Sequence, residues 1–352
     1  MERMIELFAA LGDRLRRFGD DAETRVVALA ACQANEWFSV DEIARALRAL
    51  AAEMLQPEPL RRWLAAYPCP VRSPRRILTV MAGNIPAVGF FDLLCVVCSG
   101  HRCLYKTSAK DRILMDYIVG ELLTLSSDLP IERYDGSSPV DAVIATGSDN
   151  AVRYFKARYA DCPMLLRGSR QSVAVLSGRE TPEQLAALSD DIWAYSGLGC
   201  RNVSLVFVPT GYDLQLQVPQ LNYKYKNNYI QTKALLRMNG KPFRDFGSAV
   251  AVEQSESPKA LSELAVARYR TRDEAAAWIA AHDAEIQCVV TECLPHDRRA
   301  GFGQAQSPTL TDWPDGQDVL AWLTALAGAS AGTAQPIGSY GRPDRDSCLK
   351  NR

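Results

Sequence analysis

Apolar residues recur at helical spacing through the first part of the chain. They stand three or four residues apart in two separate segments, as on one face of an amphipathic helix. The first set is Met4, Leu7, Leu11, Leu15 and Phe18, and the second is Ile43, Leu47, Leu50 and Leu55. A connector with three prolines follows at 67–75. We therefore predict a helical region over residues 1–75, packed on the domain that follows it.

From residue 76 the pattern changes to short apolar runs that alternate with helical segments. The runs at 76–82, 102–106 and 140–145 have strand length, and each ends in a small polar turn before a helix. Strands that alternate with helices are typical of a parallel, doubly wound sheet, which binds ligands at the carboxyl ends of its strands. We expect the helix after the first run to begin near Pro86, since proline is favoured in a first helical turn. No GxGxxG occurs, so a standard dinucleotide fingerprint is absent.

One cysteine occupies a different setting from the others. Cys200 follows Gly197 and Gly199 in a bend between a predicted helix at 182–195 and an apolar run at 203–208. The chain has ten cysteines, and only at this one does the pattern predict a turn that presents the thiol. We interpret Cys200 as a nucleophile that forms a thioester with an acyl group. The alternative is a buried structural cysteine, because no short cysteine signature transfers between families.

Composition narrows the class of protein. The 352 residues suggest about two domains, and 47% hydrophobic with 23% charged residues is an ordinary globular balance. A net charge of −1 provides no general attraction for nucleic acid, so we expect no such partner. The apolar run at 90–97 is too short to span a bilayer, which argues against membrane insertion. Glu2 and Glu6 make the N-terminus unlike a secretory signal, so we expect reduced thiols and a cytoplasmic protein.

Three further segments have structural interpretations. Cys95 and Cys98 form a CxxC inside an apolar run, with no second pair, so we predict core residues and no metal site. The aromatic and basic segment 223–229 is either a phosphate or nucleic-acid patch or, as we favour, one face of a helix that runs toward Met238. A last helix is predicted at 318–326, and the small polar tail at 327–352 is predicted to be flexible.

Four short motifs together resemble the acyl-CoA reductase family. These bioluminescence-type fatty acyl reductases belong to the aldehyde dehydrogenase superfamily. The motifs are Met81–Pro86, Ala145–Ser148, Gly197–Asn202 and Phe302–Gln306, in the order and at the spacing of the family. The resemblance covers residues 76–326. It implies an α/β, aldehyde dehydrogenase-like fold, with a Rossmann-like cofactor domain at 76–197 and an α/β catalytic domain at 198–326.

The resemblance also implies a set of site residues. The catalytic pair is Cys200 with Asn84, which binds the oxyanion. The cofactor contacts are Lys106 and Ser108 at the ribose or 2′-phosphate, and Thr146, Gly147 and Ser148 at the pyrophosphate. Gln304 is a further cofactor or substrate contact, in place of a glutamate that the superfamily has and this chain lacks. Physical chemistry agrees, because amide N–H groups stabilise an oxyanion and backbone N–H groups at a helix start bind phosphate. The simpler alternatives are a helix cap for the asparagine, an ordinary strand-end lysine, and a turn without a ligand.

Two departures from the superfamily indicate the reaction. The segment 165–170 lacks the carboxylate with which hydrolytic members activate water, and the glutamate of their Glu-x-Phe-Gly motif is absent before Phe302. An enzyme without that base retains its acyl group for transfer to a thiol or for reduction. The resemblance therefore implies reduction of an acyl-CoA, or another acyl-carrier thioester, to an aldehyde with NADPH, with NADH as the alternative cofactor.

Two rival functions and one open question accompany this interpretation. The first rival is a cysteine-dependent transferase or thioesterase, which needs one of the three histidines, His101, His282 or His296, beside the thiol. The second is a non-catalytic nucleotide-binding protein on the same fold. A homo-oligomer is a possible assembly.

Overall fold

The computed structural model describes residues 1–326 as an α/β protein. The predicted tail at 327–352 lies outside the described residues. The helices are α1 (Glu2–Arg16), α2 (Ala22–Ala34), α3 (Val40–Glu53), α4 (Pro57–Ala65), α5 (Phe90–Ser99), α6 (Arg112–Leu125), α7 (Asp149–Arg158), α8 (Pro182–Trp193), α9 (Tyr223–Met238), α10 (Arg272–Ala281) and α11 (Val319–Leu326). The strands are β1 (Arg76–Val80), β2 (Arg102–Lys106), β3 (Ile131–Arg133), β4 (Ala142–Thr146), β5 (Met164–Arg167), β6 (Gln171–Val175), β7 (Val203–Pro209), β8 (Arg244–Asp245), β9 (Val250–Glu253), β10 (Glu263–Tyr269), β11 (Ile286–Thr291) and β12 (Arg299–Ala300).

The four N-terminal helices form a layer beside the first sheet. Helix α1 buries its apolar face, including Phe8 and Leu11, against α3, α4 and α6. Asp21 and Ser39 cap α2 and α3 by accepting hydrogen bonds from backbone N–H groups in the first turn. The amphipathic pattern thus predicted α1 and α3 within a helical region, and tertiary packing of the apolar face stabilises them.

The first sheet has five parallel strands in the order β3-β2-β1-β4-β5. The order reverses at β1, so the connections from β1 and β4 leave the sheet on opposite sides. Such a reversal leaves a crevice at the carboxyl ends of the strands. The turns after β1, β2 and β4, which carry the predicted site residues, therefore lie at one edge.

The helix after β1 begins later than expected. Pro86 lies in an irregular segment, α5 begins at Phe90, and Ala87 has a left-handed φ of 54°. A side chain at Gly89 would collide with Met81, so glycine permits this close entry to the helix. Asn84 does not cap α5, because no side chain caps that helix. The prediction that the helix starts near Pro86 is wrong.

The second sheet has seven strands in the order β12-β11-β6-β7-β10-β9-β8, all parallel except for the β8–β9 pair. The chain passes from one sheet to the other through residues 168–170. The sheets thus divide the chain about thirty residues before the expected boundary at 197, since β6 and α8 already belong to the second sheet. No helix separates β5 from β6, and the apolar pattern did not reveal this crossing.

Two structural interpretations hold in detail. Cys95 and Cys98 are buried in α5. The segment from Tyr223 is helix α9, with Tyr225 and Tyr229 buried on its inner face. None of the helices within residues 1–326 is both long and apolar enough to cross a membrane.

Candidate active site

A cleft of about 800 Å³ lies where the carboxyl edge of the first sheet meets the bend before β7. It brings together six of the predicted site residues: Asn84, Ser108, Thr146, Gly147, Ser148 and Cys200. These residues come from four separate turns of the chain. Their convergence in one cleft is the structural feature on which the functional argument depends.

The bend that carries Cys200 has an unusual backbone. Helix α8 ends at Trp193, and then Tyr195, Ser196 and Gly197 all have left-handed φ values, of 53°, 54° and 70°. Left-handed backbone is costly for the two residues that have a Cβ, and such strain concentrates at functional sites. The first two residues are buried, whereas Cys200 is exposed to the cleft. The bend thus turns the thiol out of a packed segment.

Side chains from two other segments hold the bend. The Asn84 amide donates from Nδ2 to the Leu198 carbonyl oxygen at 2.7 Å. The Ser172 hydroxyl donates to the Cys200 carbonyl oxygen at 3.0 Å. Within residues 1–326, the Cys200 backbone N–H has no hydrogen-bond partner. This N–H and the second amide hydrogen of Asn84 therefore remain available to a ligand.

The protein around Cys200 makes its thiol a weaker acid than a free cysteine. Surrounding protein raises the pKa of Cys200 to about 11, although its side chain is open to the cleft. The positive charge of Arg201 lowers the pKa in part, while the charge of Asp315 raises it further. Arg201 is anchored by a hydrogen bond from Nε to the Ala305 carbonyl. The charge of Arg201 thus lowers the pKa of the Cys200 thiol, but by less than the loss of solvent around the thiol raises it.

The turn after β4 is built as the start of a helix. Ser148 caps α7, and its hydroxyl accepts from the Ala151 N–H at 3.5 Å. A Cβ at Gly147 would lie 3.0 Å from the Ala151 side chain, so glycine keeps this turn close to the helix. The first N–H groups of a helix lack internal partners and attract anions. The helix start and the turn both border the cleft.

The turns after β1 and β2 are in contact. A Cβ at Gly83 would lie 2.7 Å from the Cβ of Ser108, so glycine permits this approach. Lys106 is exposed at the end of β2 and does not line the cleft, whereas Lys110 does. The cleft wall near the predicted ribose site thus includes one lysine that the motif did not identify.

Comparison with known proteins adds a family to this geometry. The sequence profile of the acyl-CoA reductase family LuxC matches residues 20–221, more than half of the chain. The chain belongs to this family. The long-chain acyl-protein thioester reductase of Aliivibrio fischeri is 24% identical over 168 residues, which cover 42% of this chain. The match spans only 35% of the length of that relative.

Solved structures support the same superfamily fold. An acetylating aldehyde dehydrogenase from Geobacillus thermoglucosidasius superposes with a TM-score of 0.61 at 10% identity, over 88% of this chain and 84% of that chain. An aldehyde dehydrogenase from Mycobacterium tuberculosis, complexed with NAD+, gives a TM-score of 0.52 at 15% identity, over 79% of this chain and 70% of that chain. The aldehyde dehydrogenase-like α/β fold predicted from the motifs is confirmed.

In this acyl-CoA reductase family member, Gln304 lies away from the cleft lining. Its side-chain oxygen accepts from the Gly301 N–H at 3.3 Å and closes its own loop. Gln306, two residues later, lines the cleft and donates to the Asp191 carbonyl at 3.3 Å. The motif therefore identified a loop that borders the cleft, and Gln306 rather than Gln304 faces it.

Two charged pairs at the cleft were not anticipated. Arg167 is buried and forms two hydrogen bonds with Asp92 of α5, at 2.5 and 3.0 Å, and a third with Thr146 at 3.2 Å. Asp315 enters from the C-terminal segment and pairs with Arg170, N–O 2.9 Å. No local pattern signals Asp315, because its partner is 145 residues away. The cleft thus contains a carboxylate, but an arginine neutralises it.

None of the three histidines lines the cleft beside Cys200. His101 is buried between the Arg75 N–H and the Leu323 carbonyl. His282 stacks on Trp278, and His296 lies 3.5 Å from Asp283. Each ring therefore has a structural role at another place in the fold.

One wall of the cleft is apolar. Helix α3 and the β1–α5 segment contribute Ala46, Ala49, Leu50, Met54, Ile85, Val88 and Phe91. The alanines of α3 leave space between α3 and the β1–α5 segment. Sequence analysis assigned no chemistry to the N-terminal helices, so this wall became visible only in the structure.

Proposed function

We propose that this chain reduces an acyl thioester to an aldehyde with a nicotinamide cofactor, through an acyl-enzyme on Cys200. The observation that carries the proposal is the joint placement of Cys200, its unpaired backbone N–H and the Asn84 amide in one cleft. The thioester reductase from Aliivibrio fischeri and the family name supply the reaction class. The proposed activity, substrate and cofactor of this chain therefore rest on the geometry of the cleft and on the similarity to the acyl-CoA reductase family.

The first step is acyl transfer. Cys200 loses its proton to solvent, and the thiolate attacks the thioester carbonyl carbon. The carbonyl oxygen becomes an oxyanion that accepts hydrogen bonds from the Cys200 N–H and from Asn84. The C–S bond of the substrate then breaks, the leaving thiolate takes up a proton, and the acyl group remains on the enzyme.

The cofactor site fits an anionic dinucleotide. The turn Thr146–Ser148 and the first N–H groups of α7 would bind the pyrophosphate. Ser108 would face the ribose or a 2′-phosphate, with Lys110 on the same wall and Lys106 beyond the cleft lining as a more distant charge. When bound, the nicotinamide cofactor supplies the hydride that reduces the acyl-enzyme to a thiohemiacetal. Asn84 and the Cys200 N–H would hold the negatively charged oxygen of that species until the C–S bond breaks, which releases the aldehyde and returns Cys200 as the thiolate. A preference for NADPH over NADH rests on Lys106 and the family.

The cleft disfavours hydrolysis of the acyl-enzyme. Activation of water requires a free base near the thioester, and the two carboxylates that line the cleft within residues 1–326 are both engaged. Asp315 pairs with Arg170, and Asp312 accepts hydrogen bonds from the Thr309 N–H and hydroxyl. The apolar wall formed with α3 suits the hydrocarbon chain of an acyl group. We therefore propose an apolar acyl group as substrate, delivered as a CoA or carrier-protein thioester. A cytoplasmic location and a homo-oligomer stay predictions.

The test is oxidation of NADPH or NADH that depends on an acyl-CoA, measured across chain lengths. We expect turnover by the wild-type protein and by Cys32→Ala, which removes a half-buried thiol outside the cleft. Cys200→Ala should be inactive and should form no acyl adduct by intact mass.

The rivals predict different results in the same assay. Release of CoA from every equivalent of substrate without cofactor would identify a thioesterase. Cofactor binding without turnover would identify a non-catalytic protein. Full activity of Cys200→Ala would exclude the assignment of the nucleophile.

A further inference from the structure

Asn202 is a buried asparagine two residues beyond the cysteine, with 4% of its surface exposed. Its side-chain oxygen accepts from the Gly199 N–H at 2.8 Å. Its own backbone N–H donates to the Gly199 carbonyl at 3.1 Å. The two residues thus close both ends of a four-residue turn, with Cys200 and Arg201 between them.

Gly199 is matched to this asparagine. A Cβ at Gly199 would lie 2.9 Å from Oδ1 of Asn202, closer than real Cβ atoms approach such neighbours. Any larger residue at 199 would have to displace this oxygen from its bond, although the φ of Gly199 is not left-handed. The sequence shows glycine and asparagine three residues apart around the cysteine, and the structure shows why the two belong together.

The other end of the asparagine side chain holds the end of α8. Nδ2 lies within hydrogen-bonding distance of three backbone carbonyls, those of Asp191 and Ile192 at 3.2 Å and that of Ala194 at 2.9 Å. The last carbonyls of a helix lack internal partners, and this amide satisfies them. Only a side chain with both a donor and an acceptor fits this position, since aspartate has no donor and leucine has neither.

The consequence concerns the Cys200 N–H. With Gly199 bonded at both its N–H and its carbonyl, and with the Cys200 carbonyl held by Ser172, the peptide between them has a fixed plane. The N–H of Cys200 belongs to that peptide and is directed away from the closed bonds. We propose that Asn202 is a positioning residue that fixes the Cys200 N–H as an oxyanion donor. This inference rests on the proposed function, because it concerns the first acyl-transfer step.

Two reactions of the same thiol separate this role from a purely structural one. Acylation develops an oxyanion and depends on the donor, whereas alkylation by iodoacetamide develops none. Loss of the hydrogen bond between the Gly199 N–H and the Asn202 side chain should therefore slow acylation much more than alkylation. A general loosening of the bend would instead change both rates together.

The experiment compares Asn202→Ala and Gly199→Ala, which break the same bond from opposite sides, with the wild-type protein. The matched control is Asn228→Ala, which removes a side-chain oxygen that accepts from Ser262 outside the cleft. Acylation is measured by intact mass with p-nitrophenyl octanoate, and alkylation by peptide mapping of Cys200. We expect acylation in both variants to fall by about tenfold or more, with alkylation changed by less than about threefold. The control should match the wild type in both rates.

The outcomes are distinguishable. Parallel loss of acylation and alkylation, or unchanged acylation in both variants, would overturn the positioning role and leave the proposed function intact. A wild-type protein that is alkylated but never acylated would overturn the proposed function, and this inference with it. If Asn202→Ala fails to fold, Gly199→Ala decides the matter, because it keeps the asparagine.

Discussion

Asn84 offers the sharpest test of the site. Its amide donates one hydrogen to the Leu198 carbonyl and has a second hydrogen free toward the cleft. Asn84→Ala removes both, whereas Asn84→Asp keeps the size, removes both donors and adds a negative charge. The hydrogen donated to Leu198 stabilises the bend, whereas the second hydrogen is the proposed oxyanion donor. Protein stability and the rate of acyl transfer therefore report on different hydrogens.

The magnitudes follow from these two hydrogen bonds. Loss of one oxyanion donor costs about 2.7–4 kcal/mol in the transition state, or about 100- to 1000-fold in rate. Loss of the neutral bond to Leu198 costs about 1 kcal/mol in the free energy of unfolding. Both variants should therefore remain folded and have very slow acyl transfer. Asn84→Asp should be at least as slow as Asn84→Ala, because its charge opposes the oxyanion.

The assay is a single-turnover measurement of acyl transfer to Cys200, with thermal unfolding of the same samples. Asn228→Ala serves as the control for loss of an asparagine outside the cleft. A fall in acyl transfer of less than about threefold in folded Asn84→Ala would refute the role of this amide. Equal losses in acylation and iodoacetamide alkylation would show instead that Asn84 only holds the bend.

Four further predictions follow from other parts of the structure. Alkylation of Cys200 should rise about tenfold per pH unit from pH 7 to 10, because its pKa is raised to about 11, and a plateau near neutral pH would contradict this. Asp92→Ala leaves Arg167 buried without its partner and should lower the free energy of unfolding in urea by about 3–5 kcal/mol, whereas the double variant with Arg167→Met should recover most of the loss. Ala49→Trp fills the apolar wall and should shorten the longest acyl chain that is reduced, so an unchanged chain-length profile would exclude this wall as the acyl site. Burial raises the pKa of Asp111 from 3.8 to about 8, so the folded state keeps a proton that the unfolded state releases, and stability should fall as pH rises from about 4 to 8. Asp111→Asn should lack this component of the fall in thermal melts, and parallel pH profiles would contradict it.

The motifs located most of the candidate site because of a geometric rule. Parallel strands place their carboxyl ends at one edge, so polar turns that follow strands converge without any need to know the packing. The family resemblance implied Asn84, Ser108 and the turn at 146–148, and the structure places them in the cleft with Cys200 at this edge. Their roles in catalysis and cofactor binding stay predictions.

The features that sequence analysis missed depend on contacts between distant segments. Asp315 meets Arg170 across 145 residues, and α3 reaches the cleft from a region in which no chemistry was visible. The crossing between sheets at 168–170 was missed because strand β6 follows β5 with no helix to mark the change. A periodic pattern reports which face of an element is buried, but it does not report which element covers that face.

The position of helix α11 affects how the chain folds during synthesis. Helix α11 packs on α5, and its buried residues Val319, Leu320 and Leu323 belong to the same core as the N-terminal helices. During synthesis α5 emerges early, and the face that α11 covers stays open until about residue 326 leaves the ribosome. Domains usually fold as they emerge, N-terminal first. We expect a product that ends before α11 to expose this face of α5 and to be prone to aggregate.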